Sequence, residues 1–225
     1  MIGMELEQLI AAYNEAVFDT DRDKALKIVR DAVDGGVSPE EIVFQVVVPA
    51  IEHTIGAISG KCELSLAQHF MISQIAAEVT EEMLPQFKES PAIVGRIVIG
   101  TSQGDLHSLG KRIVVGCLKA RMIESIDLGV NVAPERFVDE AAANRAPIIG
   151  ISSMLVHTAR GENGCLKVRQ ILKERKLEDK IKIVVGGAPF RFDHLLYKAV
   201  QADAWAEDGI AAGKVIAELI QEALK

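Results

Sequence analysis

The sequence predicts an N-terminal all-α helical bundle followed by an α/β domain with a five-stranded parallel sheet. Apolar residues recur at helical spacing up to about residue 87. From residue 95, short β-branched runs alternate with helix-like segments, which is typical of repeated βα units. A polar stretch, Lys88-Glu89-Ser90-Pro91, separates the two regions. We therefore expect a helical domain over 1–88 and an α/β domain over 92–225.

The first region carries the start and stop signals of several helices. Residues 5–18 place their apolar side chains on one stripe, and a second helix is expected to end at Gly35-Gly36. Ser38 and Ser65 each begin a capping box, with Glu or Gln three residues later. Pro49 should disturb the third helix, because proline lacks a backbone N–H. Four or five helices with short connections make a small bundle.

The second region contains five strand-like runs, each followed by a helix-like one. Right-handed crossover connections between such units place all strands parallel, with helices on both faces of the sheet. We expect the flavodoxin-like strand order 2-1-3-4-5 of a Rossmann-like domain. The strands are predicted at 97–100, 124–128, 147–152, 182–186 and 203–206, and the helices at 109–121, 134–144, 161–175, 192–200 and 208–224.

The loop after the first strand carries the most chemistry. Ligands of open α/β sheets bind at the carboxyl ends of the strands. Asp105 lies two residues before His107, so its carboxylate can bond one ring nitrogen and leave the other as a neutral metal ligand. Gly110 is expected to let the next helix approach closely. Alternatively His107 is an ordinary surface histidine, since D-x-H-x-x-G occurs by chance in roughly a few per cent of chains this long.

Composition argues against several classes of function. The chain has 25 basic and 32 acidic residues, and a net charge of −7 disfavours nucleic-acid or anionic-membrane partners. No apolar run approaches the length of a membrane span, and the first residues lack a signal-peptide pattern. Cys62, Cys117 and Cys165 are far apart, which predicts neither a disulfide framework nor a zinc site. We expect a cytoplasmic protein.

Two more strand-end loops complete a combined pattern. The third strand ends in Gly150-Ile151-Ser152-Ser153-Met154, and the fourth in Gly186-Gly187. D-x-H-x-x-G, then Ser-x-hydrophobic 45 residues after His107, then Gly-Gly resembles the vitamin B12-binding domain. With the helical bundle ahead of it, nearly the whole chain resembles the cap and B12-binding domains of methionine synthase and of corrinoid methyl-carrier proteins.

The resemblance implies cobalamin, the cobalt corrinoid, as cofactor. His107 would be the lower axial ligand of cobalt, Asp105 would bond its other ring nitrogen, and Ser152 would continue that network. Met154 would give an apolar surface beside the corrin. The remaining residues implied to contact the cofactor are Leu106, Ser108, Leu109 and Gly110 in the first loop, Gly186 and Gly187 in a slot for the nucleotide tail, and Ala206 and Glu207 after the fifth strand. Trp205 would either pack near the tail with these two residues or fill a gap between sheet and helix.

The sequence departs from the family pattern at a few positions. Val156 stands where the family has a threonine that could contact the tail. Ser59 and Ser65 stand where family members carry aromatic groups over the upper face of cobalt. Either Leu66, Phe70 or His69 covers this face instead, or the cap is more loosely seated. The aromatic-poor cap favours a bulky methyl donor, such as a phenyl methyl ether in an O-demethylase system.

The resemblance implies a carrier that holds a methyl group on cobalt. The group would come from a substrate-specific methyltransferase and pass to a second methyltransferase that uses tetrahydrofolate or a thiol. A reductive activase would be a further partner, and no catalytic residue is expected in the chain itself. Two alternatives remain open: a cobalamin-binding sensor or regulator, and the small subunit of an adenosylcobalamin mutase.

Overall fold

The computed structural model describes residues 6–51, 65–88 and 93–223. The chain divides into two compact units. One comprises Met1–Ala92 with Lys119–Arg121, and the other Ile93–Leu118 with Met122–Lys225. Each unit is described by itself below.

The first unit is helical. It contains α1 (Leu6–Phe18) and α2 (Arg22–Asp34), with Gly35 capping α2 as the sequence predicts. The capping boxes predicted at Ser38 and Ser65 are confirmed, because both serines bond in the expected way at the starts of the next two helices. These are α3 (Pro39–Glu41), which continues as a π-helical segment (Ile42–Val47), and α4 (Leu66–Met83), which ends in a 3-10 turn (Leu84–Gln86).

The third helix widens on the amino-terminal side of Pro49. The N–H of Val48 bonds to the carbonyl of Val43, five residues back rather than four. Because Pro49 has no N–H, the carbonyl four residues before it loses its usual donor. The disturbance predicted at Pro49 therefore takes the form of a π-helical turn, and such turns mostly occur inside α-helices.

The second unit is built on a five-stranded parallel sheet. Its strands follow the order β2-β1-β3-β4-β5, which confirms the predicted arrangement. β5 is the shortest of these strands and, within the described residues, pairs only with β4. The strands are β1 (Gly95–Thr101), β2 (Ile123–Asp127), β3 (Ile148–Ser152), β4 (Lys182–Gly186) and β5 (Ala204–Ala206).

The crossover helices agree with the prediction except after β3 and β4. The helix expected at 161–175 is observed over Cys165–Glu174, and a short helix that was not predicted, Val156–Arg160, precedes it and ends at the extended Gly161. The helix expected at 192–200 is observed only over Leu196–Ala199, and another short helix, Ala188–Phe192, ends before it at the extended Asp193. The helices are α5 (Leu109–Ala120), α6 (Pro134–Ala143), α7 (Val156–Arg160), α8 (Cys165–Glu174), α9 (Ala188–Phe192), α10 (Leu196–Ala199) and α11 (Gly209–Ala223).

Neighbouring residues on each central strand enter the cores on opposite faces of the sheet. Val98 and Ile149 pack with α6 and α8, whereas Ile97 and Ile148 pack with α5 and α11. This follows from the two-residue period of a strand, and both faces of a parallel sheet are covered by helices. Polar residues or glycine stand at the carboxyl ends of the first four strands, which end at Thr101, Asp127, Ser152 and Gly186. No helix in the described ranges is long and apolar enough to span a membrane.

Candidate cofactor site

The strand ends predicted to form the site are aligned across the sheet. Thr101 of β1 lies opposite Ser152, Ser152 lies opposite Gly186, and Gly186 lies opposite Ala206. The loops that follow these residues therefore leave the sheet at one level, which is where open α/β sheets bind ligands. The register places the first loop, Ser152, Gly186 and Ala206 together at the carboxyl ends of adjacent strands.

Asp105 is the most constrained polar side chain of the first loop. It is fully buried, and its carboxylate takes part in four hydrogen bonds. One oxygen accepts from the His107 backbone N–H at 3.0 Å and lies 2.9 Å from His107 Nδ1. The other accepts from the Met154 N–H at 2.7 Å and lies 2.9 Å from the Thr158 hydroxyl. Burial raises the pKa of Asp105, but these bonds outweigh that effect and lower the pKa to about 2.

The ionised carboxylate determines how His107 is presented. A carboxylate only accepts hydrogen bonds, so the contact with Nδ1 assigns the ring proton to that nitrogen. In the neutral ring the lone pair is then on Nε2, and 54% of the side chain is exposed. A neutral imidazole oriented by a carboxylate is a common metal ligand.

A single protein ligand suits a metal whose other ligands come from a macrocycle. Within the described residues, no group of three or more His, Cys, Asp or Glu side chains could hold a metal ion. Apolar side chains are exposed on the segments that follow β1 and β3: Leu106 is 70% exposed, Met154 48% and Val156 57%. Leu106 adjoins His107 in the chain, and the Met154 N–H bonds to the same carboxylate as His107. Exposed apolar side chains that form a patch often mark binding surfaces. The donor and its surroundings therefore fit a corrin better than a bare ion.

Thr158 occupies the position in the network that the sequence assigns to Ser152. Its hydroxyl lies 2.9 Å from both Asp105 and the carbonyl of Leu155, and the ionised carboxylate is the stronger acceptor. Ser152 instead accepts the Ser102 N–H through its backbone carbonyl at 3.0 Å. The expected continuation through Ser152 is thus corrected, because Thr158 on α7 reaches the carboxylate. Thr158 was missed because α7 shows no helical pattern in the sequence.

A pair of serine hydroxyl groups joins the segments that follow β1 and β3. Ser102 and Ser153 are both buried, and their hydroxyl oxygens are 2.7 Å apart. The Ser153 N–H also donates to the carbonyl of Gly186 at 3.0 Å. The signal for this pair was present in the double serine after the third strand, but the sequence gives no partner for it.

The two glycines at the end of β4, Gly186 and Gly187, differ in how strongly the structure requires a glycine. Gly187 has a φ of +111°, and a Cβ there would lie 2.0 Å from the carbonyl oxygen of Ser153. The protein itself therefore requires glycine at this position, whether or not a cofactor is bound, because two loop backbones come close together. At Gly186 a Cβ would lie 3.3 Å from the carbonyl of Ala206, a tight but less severe contact. The slot predicted for the nucleotide tail stays a prediction.

Gly110 corrects another expectation. A Cβ added to it would meet nothing within 4 Å in the protein, so close approach of a helix does not explain the glycine. Leu109 is 38% exposed beside it, and the carbonyl of Ser108 accepts the Arg112 N–H at 3.0 Å as α5 begins. The space at Gly110 is open toward solvent, and Leu109 and Gly110 are both exposed.

Near β5, Trp205 fills a gap as one of the two expectations states. It packs against the core on the α6 and α8 face, and its ring stacks on His194 with centroids 4.9 Å apart. Ala206 is buried and Glu207 is exposed. In the helical unit, Ser65 caps α4 by accepting the Gln68 N–H. Residues 56–59, where the upper-face aromatic group was expected to be missing, and Cys62 lie outside the described residues.

Comparisons with known proteins agree on one family. Residues 95–213 match the family described as B12 binding domain. The dimethylamine corrinoid protein of Methanosarcina barkeri is 30% identical over 221 residues, 96% of this chain and 100% of that protein. Monomethylamine corrinoid protein 2 of Methanosarcina acetivorans is 30% identical over 200 residues, 87% of this chain and 90% of that protein.

Solved structures share the fold. A cobalamin-binding protein from Desulfitobacterium hafniense superposes with a TM-score of 0.74 at 21% identity, covering 94% of this chain and 98% of that one. A chain of the methanol:cobalamin methyltransferase complex MtaBC from Methanosarcina barkeri gives 0.72 at 20% identity, covering 96% and 80%. At these identities the likeness concerns the fold.

Proposed function

The chain belongs to the B12-binding domain family, and from this premise we propose that it is the corrinoid protein of a methyltransferase system, with cobalamin as its cofactor. The observation that carries the proposal is the buried Asp105 carboxylate that orients a half-exposed His107. The family relation alone does not require a histidine in this state. The geometry supplies one free Nε2 on an apolar surface.

In this proposal the protein binds and orients, and the cofactor supplies the difficult chemistry. Cobalamin, when bound, would supply a cobalt centre for the transfer of a methyl group between two partners. His107 would hold the cobalt through Nε2. Asp105 keeps the Nδ1 proton in place, and the Met154 N–H and Thr158 hydroxyl keep Asp105 ionised. Leu106, Ser108, Leu109 and Gly110 form the loop around the ligand.

We assign the nucleotide tail to the strand ends beyond the first loop. The support is the alignment of Ser152, Gly186 and Ala206 across three adjacent strands. Gly187 continues this edge, and Glu207 follows it on the exposed side. We also propose that 1–88 forms the cap domain and 92–225 the cobalamin-binding domain.

The partners of the proposed carrier are a substrate-specific methyltransferase, a second methyltransferase acting on tetrahydrofolate or a thiol, and a reductive activase. The relatives named above are methylamine corrinoid proteins, so a methylated amine is the methyl donor that we favour. A phenyl methyl ether is the alternative. The expectation of an ether donor rested partly on Ser65, which stands where family members carry an aromatic group. Ser65 caps a helix, and this role explains the serine without an open cap.

Reconstitution tests the cofactor and its ligand. The full chain incubated with hydroxocobalamin and desalted should retain one cobalamin. His107→Ala should change the visible spectrum and weaken retention, because it removes the proposed protein ligand of cobalt, whereas Asp105→Asn should retain cobalamin with an affinity lower by roughly ten- to a hundredfold. His157→Ala is the matched control, because this exposed histidine lies on α7 near the same loops. Loss of retention in wild type, or an unchanged spectrum in His107→Ala, would contradict the proposal.

A second assay tests the donor. The loaded protein would be mixed with methyltransferases specific for methylamines or for phenyl methyl ethers, and methylation of the cofactor followed by absorbance. Methylation with the amine system alone is expected. Methylation with the ether system alone would select the alternative donor, and none with either would favour the sensor or mutase-subunit interpretations.

A further inference from the structure

The segment that carries His107 is held at both ends by one neighbouring loop. This segment, here called the β2 loop, comprises Asp127, the last residue of β2, and the four residues that follow it, up to Asn131. It belongs to none of the three motif loops from which the site was predicted. Its contacts reach Gly104 and Asp105 before the histidine, and Lys111 after it.

Lys111 provides the contact on the carboxyl side. It lies in the first turn of α5, and only 3% of its side chain is exposed. Its ammonium contacts both carboxylate oxygens of Asp127, the last residue of β2. Asp127 in turn accepts the Gly129 N–H at 2.8 Å. A buried lysine needs such a partner, so the start of α5 is tied to the end of β2.

Asn131 provides the contact on the amino side. Its side-chain oxygen accepts the Gly104 N–H at 2.7 Å. Its own N–H lies 3.0 Å from the carbonyl of Asp105 and 2.9 Å from the Thr101 hydroxyl. Asn131 has a φ of +53°, a left-handed conformation that asparagine adopts more readily than most residues. This conformation lets side chain and backbone of one residue serve the same loop.

We propose that Asn131 and the Lys111–Asp127 pair are positioning residues for His107. The histidine is half exposed, so packing alone does not hold its ring. Its placement depends on Asp105 and on the course of the backbone from Gly104 to Lys111, and the β2 loop determines both ends of that course. The inference rests on the proposed function insofar as His107 is the cobalt ligand.

The first measurement uses the full chain without cobalamin. Asn131→Gly keeps the left-handed backbone and removes the acceptor for Gly104, whereas Asn131→Asp keeps an acceptor oxygen. Hydrogen–deuterium exchange over residues 102–111 is expected to be roughly 2- to 10-fold faster in Asn131→Gly and close to wild type in Asn131→Asp. Arg145→Gly is the matched control. Arg145 also has a left-handed φ, +52°, but it precedes β3 and so lies at the amino-terminal ends of the strands, away from the site.

The second measurement uses the same variants loaded with hydroxocobalamin and reduced to the Co(II) state. A nitrogen bound to Co(II) splits the cobalt lines in the electron paramagnetic resonance spectrum. Labelling the protein with 15N-histidine changes that splitting only when the nitrogen belongs to a histidine and not to the dimethylbenzimidazole of the cofactor. The fraction of protein with this splitting should fall in Asn131→Gly and recover in Asn131→Asp. If Asn131→Gly fails to fold, Lys111→Met with Asp127→Asn removes the other contact and leaves no unpaired charge.

The outcomes separate this inference from the proposed function. Wild-type exchange and wild-type nitrogen splitting in both Asn131→Gly and the double variant would overturn the positioning role. Equal losses in Asn131→Gly and Asn131→Asp would overturn it too, because the acceptor would then be irrelevant. Absence of nitrogen splitting in wild type would instead overturn the proposed ligand, while the exchange measurement needs no cobalamin.

Discussion

Thr158 is the residue at which the structure adds most to the sequence. Its hydroxyl is one of four hydrogen-bond partners of the buried Asp105. Thr158→Val keeps the shape and removes the donor, so the pKa of Asp105 should rise from about 2 toward its ordinary value of 3.8. A lost hydrogen bond to a charged group costs about 1.5–3 kcal/mol of unfolding free energy at neutral pH, where the carboxylate is ionised.

Urea unfolding followed by tryptophan fluorescence measures this change in the free energy of unfolding for the α/β unit. Trp205 is the one tryptophan of the chain and lies in the α/β unit. Thr158→Ser is the control, because it keeps the hydroxyl and should remain within about 1 kcal/mol of wild type. Stability of Thr158→Val equal to that of Thr158→Ser at pH 7 would show that the hydroxyl does not support Asp105.

At the scale of elements, the sequence predicts what periodicity can express. The β-branched runs around Val98 and Ile149 identify the central strands, and their order follows from the βα repeats. The five-residue helix α7 is too short for a periodic pattern, and its contact through Thr158 is tertiary. The β2 loop was missed for a similar reason, since the conformation of Asn131 cannot be read from its neighbours in sequence.

The glycines give a prediction that compares two elements. Gly187→Ala should destabilise the α/β unit by about 2 kcal/mol or more, because a Cβ would collide with Ser153 at a left-handed backbone position. Gly110→Ala lies in α5 with free space around it, so it should stabilise the cobalamin-free protein by about 0.5–1 kcal/mol. If Gly110 serves the cofactor, the same change should weaken cobalamin retention.

Paired measurements of unfolding and cobalamin retention distinguish the two roles. A stabilised Gly110→Ala protein with weaker retention would indicate that the glycine is required by the ligand. Unchanged retention would remove Gly110 from the binding residues. For Gly187→Ala, wild-type stability would contradict the close backbone approach.

At the scale of the whole molecule, all residues proposed to bind cobalamin lie in one unit. The first loop, the β2 loop and the ends of β3, β4 and β5 belong to the α/β unit, which has buried clusters on both faces of its sheet. Such a unit resembles an independently folding domain. The sequence implied a separate role for residues 1–88, as a cap that shields cobalt.

A fragment of residues 92–225 tests both parts of this division. It should bind cobalamin within one order of magnitude of the full chain, a difference below about 1.4 kcal/mol, because it contains every proposed contact.

After reduction to the Co(I) state, the cofactor of this fragment should oxidise faster in air than that of the full chain, because a shield would be missing. Stopped-flow absorbance on both proteins measures the rates. Gln8→Ala in the full chain is the control for a change confined to the helical unit, because Gln8 is exposed on α1. A fragment that folds by circular dichroism yet loses cobalamin would move part of the site into the first 91 residues. Equal oxidation rates would mean that the helical unit does not shield the cofactor, and that cobalt is protected within the α/β unit itself.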